Sequence, residues 1–141
     1  MNNTKGEKNL DKLLASMSPV LIDGEYVFCS FEKTQYSEHS HLKPIAAVLE
    51  NEGLTLVIPK SKADAFGLSY ESTFKGITLE VHSSLDAVGL TAAFSKKLTE
   101  HAISANVIAG YFHDHIFVPS EHAENAMAAL GALALGNNRD V

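Results

Sequence analysis

Apolar and polar positions alternate along the chain in short segments whose period switches between helix-like and strand-like. Leu10, Leu13, Leu14 and Met17 fall on one helical face, and Pro19 stops that helix. Residues 20–22 and 26–31 are apolar runs flanking Asp23-Gly24-Glu25, and Asp-Gly at such a junction predicts a hairpin. Residues 32–43 are polar and read as a loop. A second apolar pair, 45–49 and 54–58, is separated by Glu50-Asn51-Glu52-Gly53. Pro59 ends it, and Ser61 can cap a short helix over 62–68.

The second half repeats the idea with a longer helix. Ile77, Leu79 and Val81 alternate with Thr78 and Glu80, the pattern of a half-buried strand. Asp86 stands where an N-cap is expected, opening a helix over 87–101 with a Leu90, Phe94, Leu98 stripe. Residues 105–112 and 115–118 then read as strands joined by a turn at His113-Asp114. Pro119 and Ser120 lead into a last helix through Leu135, with Ala123, Ala126, Met127, Leu130 and Ala134 on its face and Gly136 at its end.

Two stretches carry these parts at an offset of sixty positions: Leu56-Val57-Ile58-Pro59 and Ile116-Phe117-Val118-Pro119. Each reads strand, tight turn, strand ending in Pro, then helix, which points to a duplication. The halves differ between their first two strands, where the second has a four-turn helix and the first only residues 32–43. The helix at Leu10–Met17 is expected to cover the face left open there. The second half also lacks a strand after its last helix, so its sheet is expected to borrow one, with residues 20–22 the candidate.

The chain has 141 residues, 45% hydrophobic and 20% charged, which permits a packed core. Its formal charge of −6, with scattered Lys and Arg, argues against nucleic acid and against an anionic membrane surface as partners. A polar first eight residues and no long apolar run predict a cytoplasmic protein with a disordered tail over 1–8.

Cys29 is the only cysteine, so neither an intramolecular disulfide nor a Cys-based zinc cluster can form. Alternating with Val27 and Phe31, it reads as a small core residue rather than a nucleophile. His39 and His41, like His113 and His115, are two apart, but no HExxH-type spacing accompanies them, so no metal is expected. Ser83-Ser84 lacks the setting of a nucleophile elbow, and no Gly-rich phosphate loop occurs. No catalytic residue, no enzyme activity and no cofactor are expected.

The informative run is the strand, polar loop and helix start from Leu79 to Leu90. First-turn amides of a helix have no intrahelical partner and can receive a carboxylate. Gly89 leaves room for a close backbone approach, Asp86 can cap the helix or take an ammonium, and Asn106 offers both donor and acceptor. On spacing alone, an Asp before a helix is usually just a cap and a Gly in its first turn serves close packing. His82, beside the loop, can reach a carboxylate.

The run Asp86-Ala87-Val88-Gly89-Leu90, followed by Leu98, Ile103, Asn106 and Val107, resembles the ACT-domain pattern over residues 76–135. The whole chain is similar to small stand-alone tandem ACT proteins of uncharacterised function, and its second unit also resembles the ACT units of the CASTOR-type amino-acid sensors. The resemblance implies an α+β, ferredoxin-like fold in two tandem units: 9–74, ACT-like, and 75–137, a full ACT unit with antiparallel sheets covered by helices. It implies a regulatory protein that binds an amino acid at an interface between ACT units, around Asp86, Ala87, Val88, Gly89, Asn106 and Ile108. A homodimer is expected, because such sheets leave edges and faces uncovered. Two family positions are altered: Ala102 stands where a Gly precedes the Ile-Asn step, and Val88 where a Pro adjoins the loop glycine. A structural or interaction module of the same fold, without a ligand, is the competing expectation.

Overall fold

The computed structural model describes residues 9–32, 35–81 and 88–139, with side chains as far as residue 134. The chain forms two compact units, one from residues 1–22 and 76–141, the other from residues 23–75. The continuous stretch is thus nested within the discontinuous one.

In the discontinuous unit, Asn9 caps helix α1 (Leu10–Ser16), its Oδ1 accepting from the Lys12 amide at 3.1 Å. Strand β1 (Ser18–Leu21) pairs antiparallel with β5 (Phe74–Glu80), with Val20 opposite Thr78. Helix α3 (Leu90–Glu100) leads to β6 (Asn106–Ala109) and β7 (Asp114–Pro119), which pair antiparallel with Ile108 opposite His115. A short 3₁₀ turn (Ser120–His122) then enters α4 (Ala123–Arg139). The strand order is β1-β5-β7-β6. The missing strand is therefore supplied from the start of the chain.

One face of that sheet is covered by helices. Ile77, Leu79, Ile116 and Val118 pack with Leu13, Leu14 and Met17 of the N-terminal segment, with Leu90, Phe94 and Leu98 of α3, and with Leu130 of α4. Helix α1 joins this core, and so does not cover the other unit as the sequence suggested. Its apolar residues are better matched to the long apolar stripes of α3 and α4, against which it lies.

In the continuous unit, β2 (Tyr26–Phe31) pairs antiparallel with β4 (Gly53–Pro59), which pairs with β3 (Ala46–Glu50). The first residue of β5 completes the order, Phe74 lying opposite Tyr26. Val27, Cys29, Leu54, Leu56 and Ile58 bury one face under α2 (Lys60–Ala65) and a 3₁₀ helix (Tyr36–Leu42). This 3₁₀ helix occupies the segment read as a loop. Its Leu42 side chain is buried, and Glu38 Oε1 accepts the Gln35 amide at 3.0 Å. Each unit thus places a helical segment between two of its strands, β2 and β3 in one and β5 and β6 in the other, and has the antiparallel sheet and helix cover of a ferredoxin-like α+β fold.

Three local expectations are corrected. Asp23-Gly24 does not close a hairpin, because β1 pairs with β5 rather than β2. The turn after β6 runs over 110–113, with the Gly110 amide bonded to His113 O at 2.9 Å, so Tyr111 and Phe112 form its tip. Helix α4 continues through Gly136 to Arg139, since packing carried by the helix outweighs one glycine's propensity of about 1 kcal/mol.

Candidate functional site

The candidate loop starts where β5 ends and finishes where α3 begins. Asp86 and Ala87, with His82, lie outside the described residues. The helix opens at Leu90 with Gly89 as its N-cap, three residues later than the sequence suggested. Gly89 has φ +101°, and its carbonyl accepts the Ala93 amide at 2.9 Å. The positive φ favours glycine at this turn, and a Cβ there would lie 3.1 Å from Leu10 Cδ2, a tight contact with α1 that the leucine would have to relieve. Val88 beside it is 83% exposed.

Asn106 and Ile108 stand elsewhere. Helix α3 separates Gly89 from β6, and its eleven residues span about 16 Å at 1.5 Å per residue. Asn106 Nδ2 donates to the Phe117 carbonyl at 3.2 Å, fixing the start of β6 against β7. Ile108 is half-buried opposite His115. Within one unit, then, Gly89 and Asn106 sit at opposite ends of a helix.

At the loop end of the sheet the β6–β7 turn contributes the other groups. His113 Nδ1 donates to the Val81 carbonyl at 3.4 Å, next to the first residue of the loop. Thr78 Oγ1 and His115 Nδ1 share a hydrogen bond of 3.0 Å. Burial lowers the pKa of His115 and raises that of Asp114; for His115 the nearby His113 adds to the effect. The exposed rings of Tyr111 and Phe112 meet edge to face, 5.0 Å apart, at the tip.

In the continuous unit, the paired histidines lie on the 3₁₀ helix against aromatic rings. His39 stacks on Phe31 at 4.1 Å and His41 meets Phe66 edge-on at 4.8 Å. Among the described residues, no three His, Cys, Asp or Glu side chains converge as a metal site would require. Cys29 is buried, its thiol facing the Ser69 carbonyl at 3.7 Å, and burial pushes its pKa up, the opposite of an activated nucleophile.

One polar constellation had no counterpart in the sequence reading. Lys60 Nζ binds Asp64 Oδ2 at 2.9 Å, and Tyr70 OH donates to Asp64 Oδ1 at 2.7 Å. These bonds, the Lys60 one foremost, hold the Asp64 carboxyl below its ordinary pKa. The group borders an open groove of about 480 Å³ that Asp23, Glu25, Tyr26 and Ser61 also line. The i, i+4 Lys-Asp spacing was the available signal. Among the described residues, no helix is long and apolar enough to cross a membrane.

Comparison with known proteins supplies the family. ACT-domain models match residues 5–75 and residues 71–132. A protein of unknown function from Vibrio cholerae, VC0802, is 56% identical over 90% of this chain and 97% of its own, with a TM-score of 0.82. The regulatory subunit of aspartate kinase from Thermus thermophilus superposes with a TM-score of 0.62 at 8% identity, covering 85% of this chain and 97% of that one. Escherichia coli aspartokinase III, in complex with aspartate and ADP, gives 0.63 at 11% identity, covering 84% of this chain and 33% of the enzyme. These two likenesses are of fold alone. No curated protein matches the chain significantly. With one ACT match on each half and the two sheets built as described, the chain belongs to the ACT domain family and carries two ACT units in tandem.

Proposed function

We propose that this protein is a non-catalytic regulatory module that binds an amino acid at an interface between ACT units and works as a homodimer. The observation that carries the reading is the separation of Gly89 from Asn106 by the length of α3. A ligand small enough to be an amino acid cannot reach both within one unit, so a site using both needs a second ACT unit to bring the missing end. Asp86, Ala87, Val88 and Gly89 then supply the loop side, with amides for the carboxylate, while Asn106 and Ile108 supply the facing side. Family membership supports a regulatory role, and a stand-alone regulatory subunit of aspartate kinase shares the fold.

Calorimetric titration of the purified protein with each of the twenty amino acids tests this. Saturable heat with one or a few of them is expected, lost in Asp86→Ala. Absence of heat with all twenty overturns the ligand reading. One observation favours the alternative of an interaction module without a ligand: the Asn106 amide already has a partner in the Phe117 carbonyl. If that module is correct, Asn106→Ala lowers stability and no amino acid raises the melting temperature.

A further inference from the structure

Building on the amino-acid reading above, we infer that α1 is a strap for the candidate loop. Leu10 positions the Gly89 end, so ligand binding there and seating of the first turn of α1 strengthen each other.

The chain leaves β5 at Glu80 and enters α3 after Gly89. One short segment reaches both points. Ser18 pairs with Glu80 in the β1–β5 ladder, and Leu10 lies against Gly89. Helix α1 joins these two contacts, its seven residues spanning about 10 Å. The Glu80 end has a second support next to it, since the Val81 carbonyl accepts from His113 Nδ1. At the Gly89 end the neighbour is Leu10: a Cβ on Gly89 would meet its Cδ2, Cδ1 and Cγ at 3.1, 3.7 and 3.9 Å. The leucine thus packs on bare backbone, and a shift of either is felt by the other.

Helix α1 is built to respond. Helices shorter than about 12–15 residues are marginal alone, so the seven residues of α1 depend on what they pack against. Leu13 and Leu14, 0% and 5% exposed, anchor its middle in the core, whereas Leu10 is only half-buried. The first turn is closed by Asn9, whose Oδ1 accepts the Lys12 amide at 3.1 Å and whose carbonyl accepts the Leu13 amide at 3.0 Å. A ligand that fixes Gly89 gives Leu10 a fixed seat. A seated Leu10, in turn, leaves less ordering for the ligand to impose. Such coupling is reciprocal by thermodynamic necessity.

Amide hydrogen exchange and calorimetry on the full chain test the strap, with an equimolar mixture of the twenty amino acids as the probe. In the mixture, the Lys12 and Leu13 amides are expected to exchange at least about fivefold more slowly. The Phe66 amide, bonded to Lys62 O at the end of α2, is the control that stays unchanged. Leu10→Ala is expected to raise the midpoint of the titration about tenfold, and Leu10→Met, close in volume, to restore it. Ile103→Val, a core truncation beyond the far end of α3, is expected to lower the melting temperature without moving the midpoint. If Leu10→Ala does not fold, the wild-type exchange rates decide. Saturable heat with unchanged Lys12 and Leu13 exchange, or with a Leu10→Ala midpoint equal to that of the wild type, overturns the strap and leaves the amino-acid reading standing. A midpoint that Ile103→Val moves as far as Leu10→Ala does the same. No heat with the mixture overturns both.

Discussion

The two ACT units reach the same strand order with different covers. In the discontinuous unit, α3 lays three fully buried side chains, Leu90, Phe94 and Leu98, over the sheet. In the continuous unit the equivalent segment is a 3₁₀ helix whose one buried residue is Leu42. The sheet order is therefore the constant of this fold. The connecting helix need only span the right ends and plug the face, and one well-placed leucine suffices where an amphipathic stripe is absent.

The two units end their helices alike. At the end of α2, the Leu68 amide reaches Ala63 O at 2.9 Å and the Gly67 amide reaches Asp64 O at 3.3 Å. At the end of α3, the Ile103 amide reaches Leu98 O at 3.0 Å and the Ala102 amide reaches Thr99 O at 2.9 Å. Both are complete Schellman motifs, each with its apolar contact. The left-handed residue is Gly67 in one (φ +66°) and Ala102 in the other (φ +57°). The altered family position is thus a strained one, held because Ile103 and Leu98 are locked in the core.

The largest test of the contrast is truncation of each cover. Phe94→Ala is expected to destabilise the discontinuous unit by about 4 kcal/mol, and Leu42→Ala the other unit by about 3 kcal/mol, read by urea unfolding. If Leu42→Ala costs under about 1 kcal/mol, the 3₁₀ helix is a surface ornament and the comparison fails. Exchanging the cap residues comes next. Gly67→Ala is expected to lose about 1 kcal/mol and Ala102→Gly to gain up to about 1 kcal/mol, with opposite shifts in melting temperature. Equal signs would show that the two ends do not share one geometry.

The smallest effect is in the response to acid, where only directions are predicted. Burial depresses the His115 pKa in the folded state, so its unfolded form takes up a proton first as pH falls through the ordinary value of 6.5. The discontinuous unit therefore loses stability below that pH, and His115→Gln should flatten this fall. Asp114, whose folded pKa is raised by burial, works the other way, its penalty being relieved as pH drops toward 3.8. In the continuous unit Asp64 is held low by Lys60 and Tyr70, so its contribution is lost only as pH falls below 3.8. Melting temperatures of the two single variants, His115→Gln and Asp64→Asn, between pH 8 and 3 should separate these windows; coincident loss would refute the assignment.

Much of this was legible in the residues. The Leu90, Phe94, Leu98 stripe and the Ile77, Leu79, Val81 alternation fall in the core they predicted, whereas Leu13 and Leu14 are buried as their helical spacing implied but in the core of the discontinuous unit rather than over the continuous one. The pairing of β1 was half legible. The missing strand could be inferred, but Asp23-Gly24 looked like a hairpin because local turn chemistry is silent about which distant strand is the partner. The 3₁₀ helix escaped because its polar residues carry no 3.6-residue period, and its start is marked only by Gln35 and Glu38. At the candidate site, Asp86 resembled an N-cap, yet the helix begins at Leu90, after Gly89 takes the turn at φ +101°, a conformation that favours glycine. Spacing could name Gly89 and Asn106, but only the length of α3 in three dimensions sets them apart.

Because β1 belongs to the sheet of β5, β6 and β7, the order of synthesis and the order of assembly cannot coincide. Residues 23–75 emerge as one contiguous block and have all their own strand partners within it, up to Phe74. Residues 18–21 leave the ribosome before them, yet must wait for Ile77 and its neighbours, more than fifty positions later. At about 5–20 residues per second that interval is several seconds. During it Leu13, Leu14 and Met17 have no core to enter, so the nascent chain carries an apolar N-terminal segment past a finished domain. A chaperone that binds such segments should hold this chain until its second half arrives, and moving residues 9–22 to follow α4 should release that dependence.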